Sequence, residues 1–513
     1  MRKPRLRLST AVTTALVVVL AACGGGDTIG DESDGAESSG ERAGGTVTVA
    51  LSSDILTMDP AMHRSRITQA VIRNVFDALV NQDQDLAIVP ELAESWESTD
   101  EVTWIFHLRE GVTFHNGEEL DADAVKFSLD RIVDPATASP RASMLSMIES
   151  VEVVDPLTVR IVTDAPSPTL LPSLAVNEIV PPDYFAEVGP EGFAAAPIGT
   201  GAFTFDEWVP NERVALAANA DYWNGGPNVD QVVFRPIPEV AARVAELQAG
   251  AVDIVAEIPP DLAESLGAGV EAAPIDGTRS FFLAMNVTIP PFDDRDVRVA
   301  ANQAVDKEAL VDDLLLGFAR PLDQPLFPEV FGYVVDFAGY EYDPDAASQV
   351  FEGVTGSVQV DVREADRLLA EAVAGQLREA GLDVSVNVLE TQAFTERIGG
   401  GQAQAYIDSW GVAEGDADVI FARHFWSENR TGAYFTGFSD PTVDQLVVDG
   451  RTTADPDERR RIYAEATEMV MEAAPWVPLY NPQEIYGVSA AVEGFEPSPI
   501  GRFVLAGVRV NGG

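Results

Sequence analysis

From residue 46 onward the chain alternates short period-two stretches with amphipathic stretches of helical period. This alternation restricts the fold more than any other feature. The runs 46–51 (TVTVAL), 102–109, 157–162, 202–209, 213–218 and 231–236 read as strands, with turn residues between them. Residues 66–80 carry Ile67, Ala70, Val71, Val75, Ala78 and Leu79 at helical spacing. Asp121 is placed to cap a helix bearing Val125, Ser128, Leu129 and Ile132 on one face, and 239–249 reads as helix up to Gly250. A second series follows: strand 280–287, helices over 295–316, strand 357–362, helix 363–380 ending at Gly381, strands 382–389 and 403–410, and helix 455–474. Such alternation predicts α/β layers with a mixed sheet in each of two large bodies. The strand runs without intervening helices make part of the first body α+β.

The N-terminus reads as a targeting segment. Arg2, Lys3, Arg5 and Arg7 precede an uncharged stretch, Leu8 to Ala22, that is short for a bilayer span but suits a signal-peptide apolar region. It ends Leu20-Ala21-Ala22-Cys23, the bacterial lipobox pattern, so residues 1–22 are expected to be removed and Cys23 lipidated. A buried free thiol is the alternative reading of Cys23. Residues 23–44 are Gly, Ser and acid with one large apolar side chain, Ile29, and read as a flexible tether reaching about 25 Å. No later segment has eighteen consecutive apolar residues.

Charge and cysteine content exclude several functions. The chain has 33 Lys+Arg against 83 Asp+Glu, a formal net charge of −50. That balance opposes binding to a nucleic-acid backbone and reads as a solvated acidic surface. A single cysteine excludes a disulfide framework, a Cys-ligated zinc site and a thiolate-held iron–sulfur cluster. The chain has no G-x-S-x-G elbow, no H-E-x-x-H and no cysteine nucleophile outside the lipobox, so it is not read as an enzyme.

Several motifs occur in order along 45–510. They are Pro90-Glu91-Leu92-Ala93-Glu94-Ser95-Trp96, Phe106-His107-Leu108-Arg109-Glu110-Gly111-Val112-Thr113-Phe114-His115-Asn116-Gly117 with Asp123 to Leu129, Pro197-Ile198-Gly199-Thr200-Gly201, Asn219-Ala220-Asp221-Tyr222-Trp223, and Pro291-Phe292-Asp293-Asp294 with Val297-Arg298. Phe438 to Leu446 follows the same pattern. Together they resemble the extracellular solute-binding proteins of the dipeptide/oligopeptide/nickel group (solute-binding family 5) of ABC importers. Each motif also has a plain structural reading. His107 and His115 suit satisfied structural positions, and Gly199-Thr200-Gly201 permits close backbone approach without forming a phosphate cradle.

The resemblance implies a two-lobed periplasmic-binding-protein-like clamshell with an enlarged N-terminal lobe: lobe I over 45–278 with 479–513 returning to it, and lobe II over 279–478. It implies hinge crossings near Ser280–Asn286 and Val477–Pro482. It further implies capture of a peptide-like solute in the inter-lobe cleft, with no cofactor and no metal, and delivery to a membrane permease and ATPase complex. The protein is expected to be a monomer outside the cytoplasm, attached to the membrane through its lipid anchor only. A nickel, metal-chelate or glutathione-type binding protein and a lipoprotein sensor of the same fold stay open. His424 stands beside Arg423, which disfavours a metal cation.

The resemblance places the site on Asp408-Ser409-Trp410-Gly411-Val412-Ala413-Glu414-Gly415-Asp416-Ala417-Asp418. Peptide-binding members often carry Asp three residues after this Trp, where Ala413 stands here with Glu414 next to it. Trp410, Glu414, Asp416 and Asp418 are therefore candidate solute contacts. Asp416 and Asp418 equally suit capping of a helix beginning near 418, and Trp410 suits lobe core as well as cleft floor. Arg141, ahead of an apolar stretch read as helical (Met144, Leu145, Met147, Ile148), is a candidate contact or a solvated surface residue. Ser52, Asp54 and Tyr434 complete the set.

Overall fold

A computed structural model describes residues 44–429 and 435–511. The signal peptide, Cys23, nearly all of the tether and Tyr434 lie outside the described residues. In chain order the strands are β1 Thr46–Leu51, β2 Val80–Gln82, β3 Ile88–Pro90, β4 Ala93–Ser98, β5 Thr103–Leu108, β6 Ile148–Asp155, β7 Thr158–Thr163, β8 Phe203–Val209 and β9 Arg213–Ala218. They continue as β10 Gln231–Pro236, β11 Ile254–Val255, β12 Val270–Asp276, β13 Arg279–Met285, β14 Ala319–Pro321, β15 Val358–Arg363, β16 Val384–Leu389, β17 Ala405–Gly411 and β18 Trp476–Ser489.

One mixed sheet runs β16-β15-β17-β13-β18-β11-β1-β10-β9-β8, with β12 and β14 also paired to β18. A separate antiparallel sheet has the order β4-β5-β7-β6. The long strand β18 is the seam of the first. Its residues Trp476 to Tyr480 pair with β13, and Gln483 to Ser489 pair with β12. Between the two pairings, the Asn481 amide donates to the carbonyls of Gly277 (2.7 Å) and Arg279 (2.8 Å). A Cβ on Gly277 would fall 2.5 Å from the Pro482 carbonyl oxygen, so the two strands can cross this closely only at glycine.

The buried apolar clusters divide at the same seam. Three draw their buried members from 47–263 and 485–508; two draw them from 282–480. Consecutive strands and helices of each segment thus cover each other, as layered α/β architecture requires.

Most expected elements are present, with two local differences. The helix expected over 66–80 stops at Ile72. The Asn74 amide turns back onto the Ala70 carbonyl (2.9 Å), and the Val75 carbonyl accepts from Gly201 N (2.9 Å) instead of continuing the helix. A Cβ on Gly199 would lie 2.1 Å from the Val75 oxygen, which is why the P-x-G-T-G turn holds glycine there. Residues 144–148 are not helical: a single 3-10 turn, Ala142–Met144, leads into β6.

The family motifs converge as structural joints. The buried Asp77 carboxylate accepts from Thr200 Oγ1 (2.9 Å), Tyr222 Oη (3.2 Å) and Trp223 Nε1 (2.8 Å), joining the Pro197–Gly201 and Asn219–Trp223 motifs. A His115 ring nitrogen bonds the Gly201 carbonyl at 2.9 Å. Asp294 caps the helix Arg295–Ala304, and Arg298 holds the Ala473 and Phe292 carbonyls.

Candidate functional site

Strand β17 ends at Gly411, and Val412 N then donates to the Thr278 carbonyl (2.8 Å). The chain turns at Gly415, whose φ is +68°. Phe331 N donates to Gly415 O and Ala417 N donates to Phe331 O, so the backbone of the turn is fixed on both sides. Glu414 projects from this turn.

Asp416 is committed inside the protein. Its carboxylate accepts from Nη1 and Nη2 of Arg459, each at 2.6 Å, and Oδ1 also accepts from Asp418 N at 2.9 Å. Arg459 Nε in turn donates to the Gly450 carbonyl at 2.6 Å. Asp418 pairs with Arg451 at 3.2 Å. Burial pushes the Asp418 carboxyl up to about 6, with the Arg451 charge opposing that rise.

A cavity of about 570 Å³ lies beside this turn. One wall comes from Arg64, the Ser143–Met147 region and the Asp164–Thr169 loop. The facing wall comes from Glu414, Asp418, Val419, Trp426 and Arg451. The two walls belong to the two core groups on either side of the seam. Asp418, Arg451 and Arg459, which also line it, are neutralised by the ion pairs just described. Arg64, Asp164 and Glu414 have no ion-pair partner among the described residues; Arg64 and Asp164 stand on one wall and Glu414 on the other. Burial pushes the Glu414 carboxyl up, against the smaller opposing pulls of its own backbone amide and of the Arg64 charge. A free cation and a free anion on opposite walls suit a solute with both charges.

The residues predicted from sequence are distributed unevenly. Glu414 and Asp418 line the cavity, and Asp416 stands behind it on Arg459. Trp410 is half-buried at the end of β17, with the Arg423 guanidinium 5.3 Å from its ring centroid and the His424 ring edge-on at 5.2 Å. His424 is buried among aromatic rings, and desolvation holds its pKa well below the usual histidine value. Arg141 is neither a cavity residue nor a solvated one. It is 4% exposed, and it donates to the His63 carbonyl (2.8 Å), the Val176 carbonyl and the Gln69 amide oxygen. It thereby holds the loop that presents Arg64. Asp54 is tied to Trp208 Nε1 (3.2 Å) and Asn211 N (2.7 Å), which fixes the bend after β1 in which half-buried Ser52 lies; neither lines the cavity.

Sequence reading missed Arg64, Trp426 and Arg451, which come from three distant loops and helices. Arg363, at the C-terminal end of β15, which runs parallel to β16 and β17, does not line the cavity. Arg363 pairs with buried Asp408 and stacks 4.7 Å over the Phe394 ring. A larger groove of about 1240 Å³ lies between the helices Ala122–Val133 and Pro182–Ala195, but its Arg131 and Lys126 are already paired with Asp59 and Asp130. Among the described residues, no group of three or more His, Cys, Asp or Glu side chains could hold a metal ion, and no helix is long and apolar enough to cross a membrane.

Comparison with known proteins gives this geometry its context. The chain is 28% identical over 470 residues to the glutathione-binding protein of Escherichia coli strain K12, covering 88% of this chain and 91% of the relative. A solved ABC transporter-associated periplasmic binding protein from Helicobacter pylori, in complex with the peptide STSA, superposes with a TM-score of 0.74 at 26% identity, covering 92% of this chain and 99% of that one. A Campylobacter jejuni protein solved with Ni(L-His) shares the fold, at a TM-score of 0.73 and 24% identity over 88% of this chain and 96% of that one. The fold is the two-lobed α/β architecture of periplasmic binding proteins. The family profile described as bacterial extracellular solute-binding proteins, family 5 middle, matches residues 87–432. With more than half its length inside that profile, the chain belongs to the family 5 extracellular solute-binding proteins, the substrate-binding components of ABC importers.

Proposed function

We propose that this protein is a lipid-anchored receptor that captures a peptide-like solute carrying both a free amine and a free carboxylate and hands it to an ABC permease. The observation that carries this reading is the pair of uncommitted opposite charges, Arg64 and Glu414, on facing walls of the cavity. Glu414 takes the cationic end, in place of the acid absent at Ala413, and Arg64 takes the anionic end. Lobe I comprises 45–278 and 479–513, and lobe II comprises 279–478. The cavity is their cleft, and the crossing held by Asn481 is the hinge. Closure removes water from the cavity and strengthens both charge contacts. Cys23 is the lipid attachment site and the acidic segment behind it is the leash; the receptor is monomeric and performs no chemistry on its solute.

A glutathione-type solute is the reading that the 28% identical E. coli relative favours. Glutathione presents one ammonium and two carboxylates, and Glu414 and Arg64 offer a partner to one charge of each sign. Mass spectrometry of what co-purifies with the mature protein tests the class directly, followed by calorimetric titration with glutathione and with tri-alanine. A solute without any carboxylate, or binding untouched by Arg64→Ala, would overturn the assignment.

A further inference from the structure

The β2–β3 hairpin has no part in the solute site as described so far, yet its tip reaches the turn that bears Glu414. The tip is pre-organised. Asp83 Oδ1 accepts from Asp85 N (3.0 Å) and Ala87 N (2.9 Å), and Asp83 N donates to the Ala87 carbonyl (3.0 Å). Asp83, Gln84, Asp85 and Ala87 are exposed, as a polar hairpin tip should be. Gln82 and Leu86 are not: they are 6% and 7% exposed.

Both are buried against the opposite core group. Gln82 Nε2 donates to the Ala413 carbonyl at 3.3 Å. Leu86 packs so closely on Gly415 that a Cβ there would lie 3.2 Å from Leu86 Cβ. Leu86 adopts φ +61°, a left-handed conformation that disfavours a leucine. Gly415, at φ +68°, is the residue type that tolerates both its own backbone and this approach. The hairpin thus holds the residue before Glu414 and the residue after it.

We infer that Gln82 and Leu86 are positioning residues that clamp the 413–415 turn from the opposite lobe and aim Glu414 only when the lobes are together. This rests on the assignment of Glu414 to the solute site. Parting the two core groups separates Leu86 from Gly415 and frees the Ala413 carbonyl. The turn then loses its outer support, and Glu414 loses its fixed direction. Solute recognition and closure become one event, because the anionic contact is built by the approach of the other lobe. The clamp is releasable: Gln82 Oε1 is buried without a hydrogen-bond partner among the described residues, and opening returns it to water.

The test uses the full mature chain and has two arms. In the first, hydrogen exchange of the 412–418 backbone is compared, both without solute and with glutathione or tri-alanine added, among wild type, Leu86→Ala, Gln82→Leu and Gln84→Ala. Gln84 is the control, since its amide bonds Glu496 rather than the turn. Exchange at 412–418 should rise at least tenfold in Leu86→Ala and measurably in Gln82→Leu, and stay at the wild-type rate in Gln84→Ala. Equal rates in all four folded proteins, judged by unchanged melting temperature, would overturn the clamp. Should Leu86→Ala fail to fold, Gln82→Leu decides this arm. In the second arm, glutathione and tri-alanine are titrated into the same proteins. Affinity should fall about tenfold in Leu86→Ala, and adding Glu414→Gln should bring the loss only to that of Glu414→Gln alone, not to the product of the two. Wild-type affinity in Leu86→Ala would overturn the positioning role. If wild type binds neither probe, the solute class proposed above fails, while the exchange arm still decides whether the clamp exists.

Discussion

The Asp416 carboxylate accepts two 2.6 Å hydrogen bonds from Arg459, and both side chains are buried. Three residues closer to Trp410 the same acid would match the solute anchor of the family pattern; here it is a brace between the turn at Gly415 and the helix Pro456–Ala473. Removing one partner leaves the other charge buried and unpaired. Asp416→Ala is therefore expected to destabilise the protein by about 3–5 kcal/mol. Urea titration measures this. A loss below about 1 kcal/mol would mean that Arg459 finds solvent in the absence of its partner.

Asp418 gives a pH dependence of definite sign. Its carboxyl rises from an ordinary 3.8 to about 6 in the folded state, chiefly through burial. The folded protein thus holds this proton more tightly than the unfolded chain. The stability it contributes is present below pH 4 and lost as pH rises through 6. Asp418→Asn, which stays neutral, is expected to match wild type near pH 4 and to exceed it by about 2–3 kcal/mol at pH 8. Melting curves of the two proteins across that range check it; parallel curves would reject it.

Glu414 should set the pH profile of binding. Burial raises its pKa, so an ammonium contact exists only above that raised value and weakens as pH falls through it. Glu414→Gln is expected to cost about 2 kcal/mol in affinity, roughly thirtyfold, and to flatten the acidic limb of the profile. Calorimetric titration between pH 4 and 8 reads both effects. An acidic limb that survives in Glu414→Gln would move the titrating group elsewhere.

Trp410 has one face under Arg423 and an edge on His424. If its half-exposed surface anchors the solute, Trp410→Ala should weaken binding by about 2 kcal/mol or more. Unchanged affinity in a folded variant would assign the ring to the core between β17 and the 421–426 segment.

Asn481 ties the two strands that cross the seam. Asn481→Ala is expected to lower stability by about 1–3 kcal/mol and to widen the spread of lobe separations. Denaturant titration and small-angle scattering measure the two effects. A stability loss with no change in scattering would make Asn481 a plain structural residue.

Much of this was legible in the chain itself. Period-two and helical patterns located β1, β5, β8, β9, β10, β13 and β15 to within a residue or two, because alternation of burial is written into local sequence. Asp121 capped its helix as predicted, since capping needs only neighbours three residues away. The helix expected to continue past Ile72 did not, because the carbonyl of Val75 is claimed by Gly201, a partner 126 positions on in the chain. At the candidate site, Glu414 was readable from its place beside Trp410, but Arg64 was not, because nothing local marks an arginine between a buried His63 and the capping Ser65.

The sequence by itself determined the α/β layering and the family, since each is encoded in contiguous residues. Only the tertiary structure decided which charges are spent and which are free. Asp416 is neutralised by Arg459 and Asp418 meets Arg451, while Arg64 and Glu414 are left facing one cavity. Ion pairing depends on distance through space. Residues tens of positions apart, such as Asp416 and Arg459, meet only after the core has closed around them.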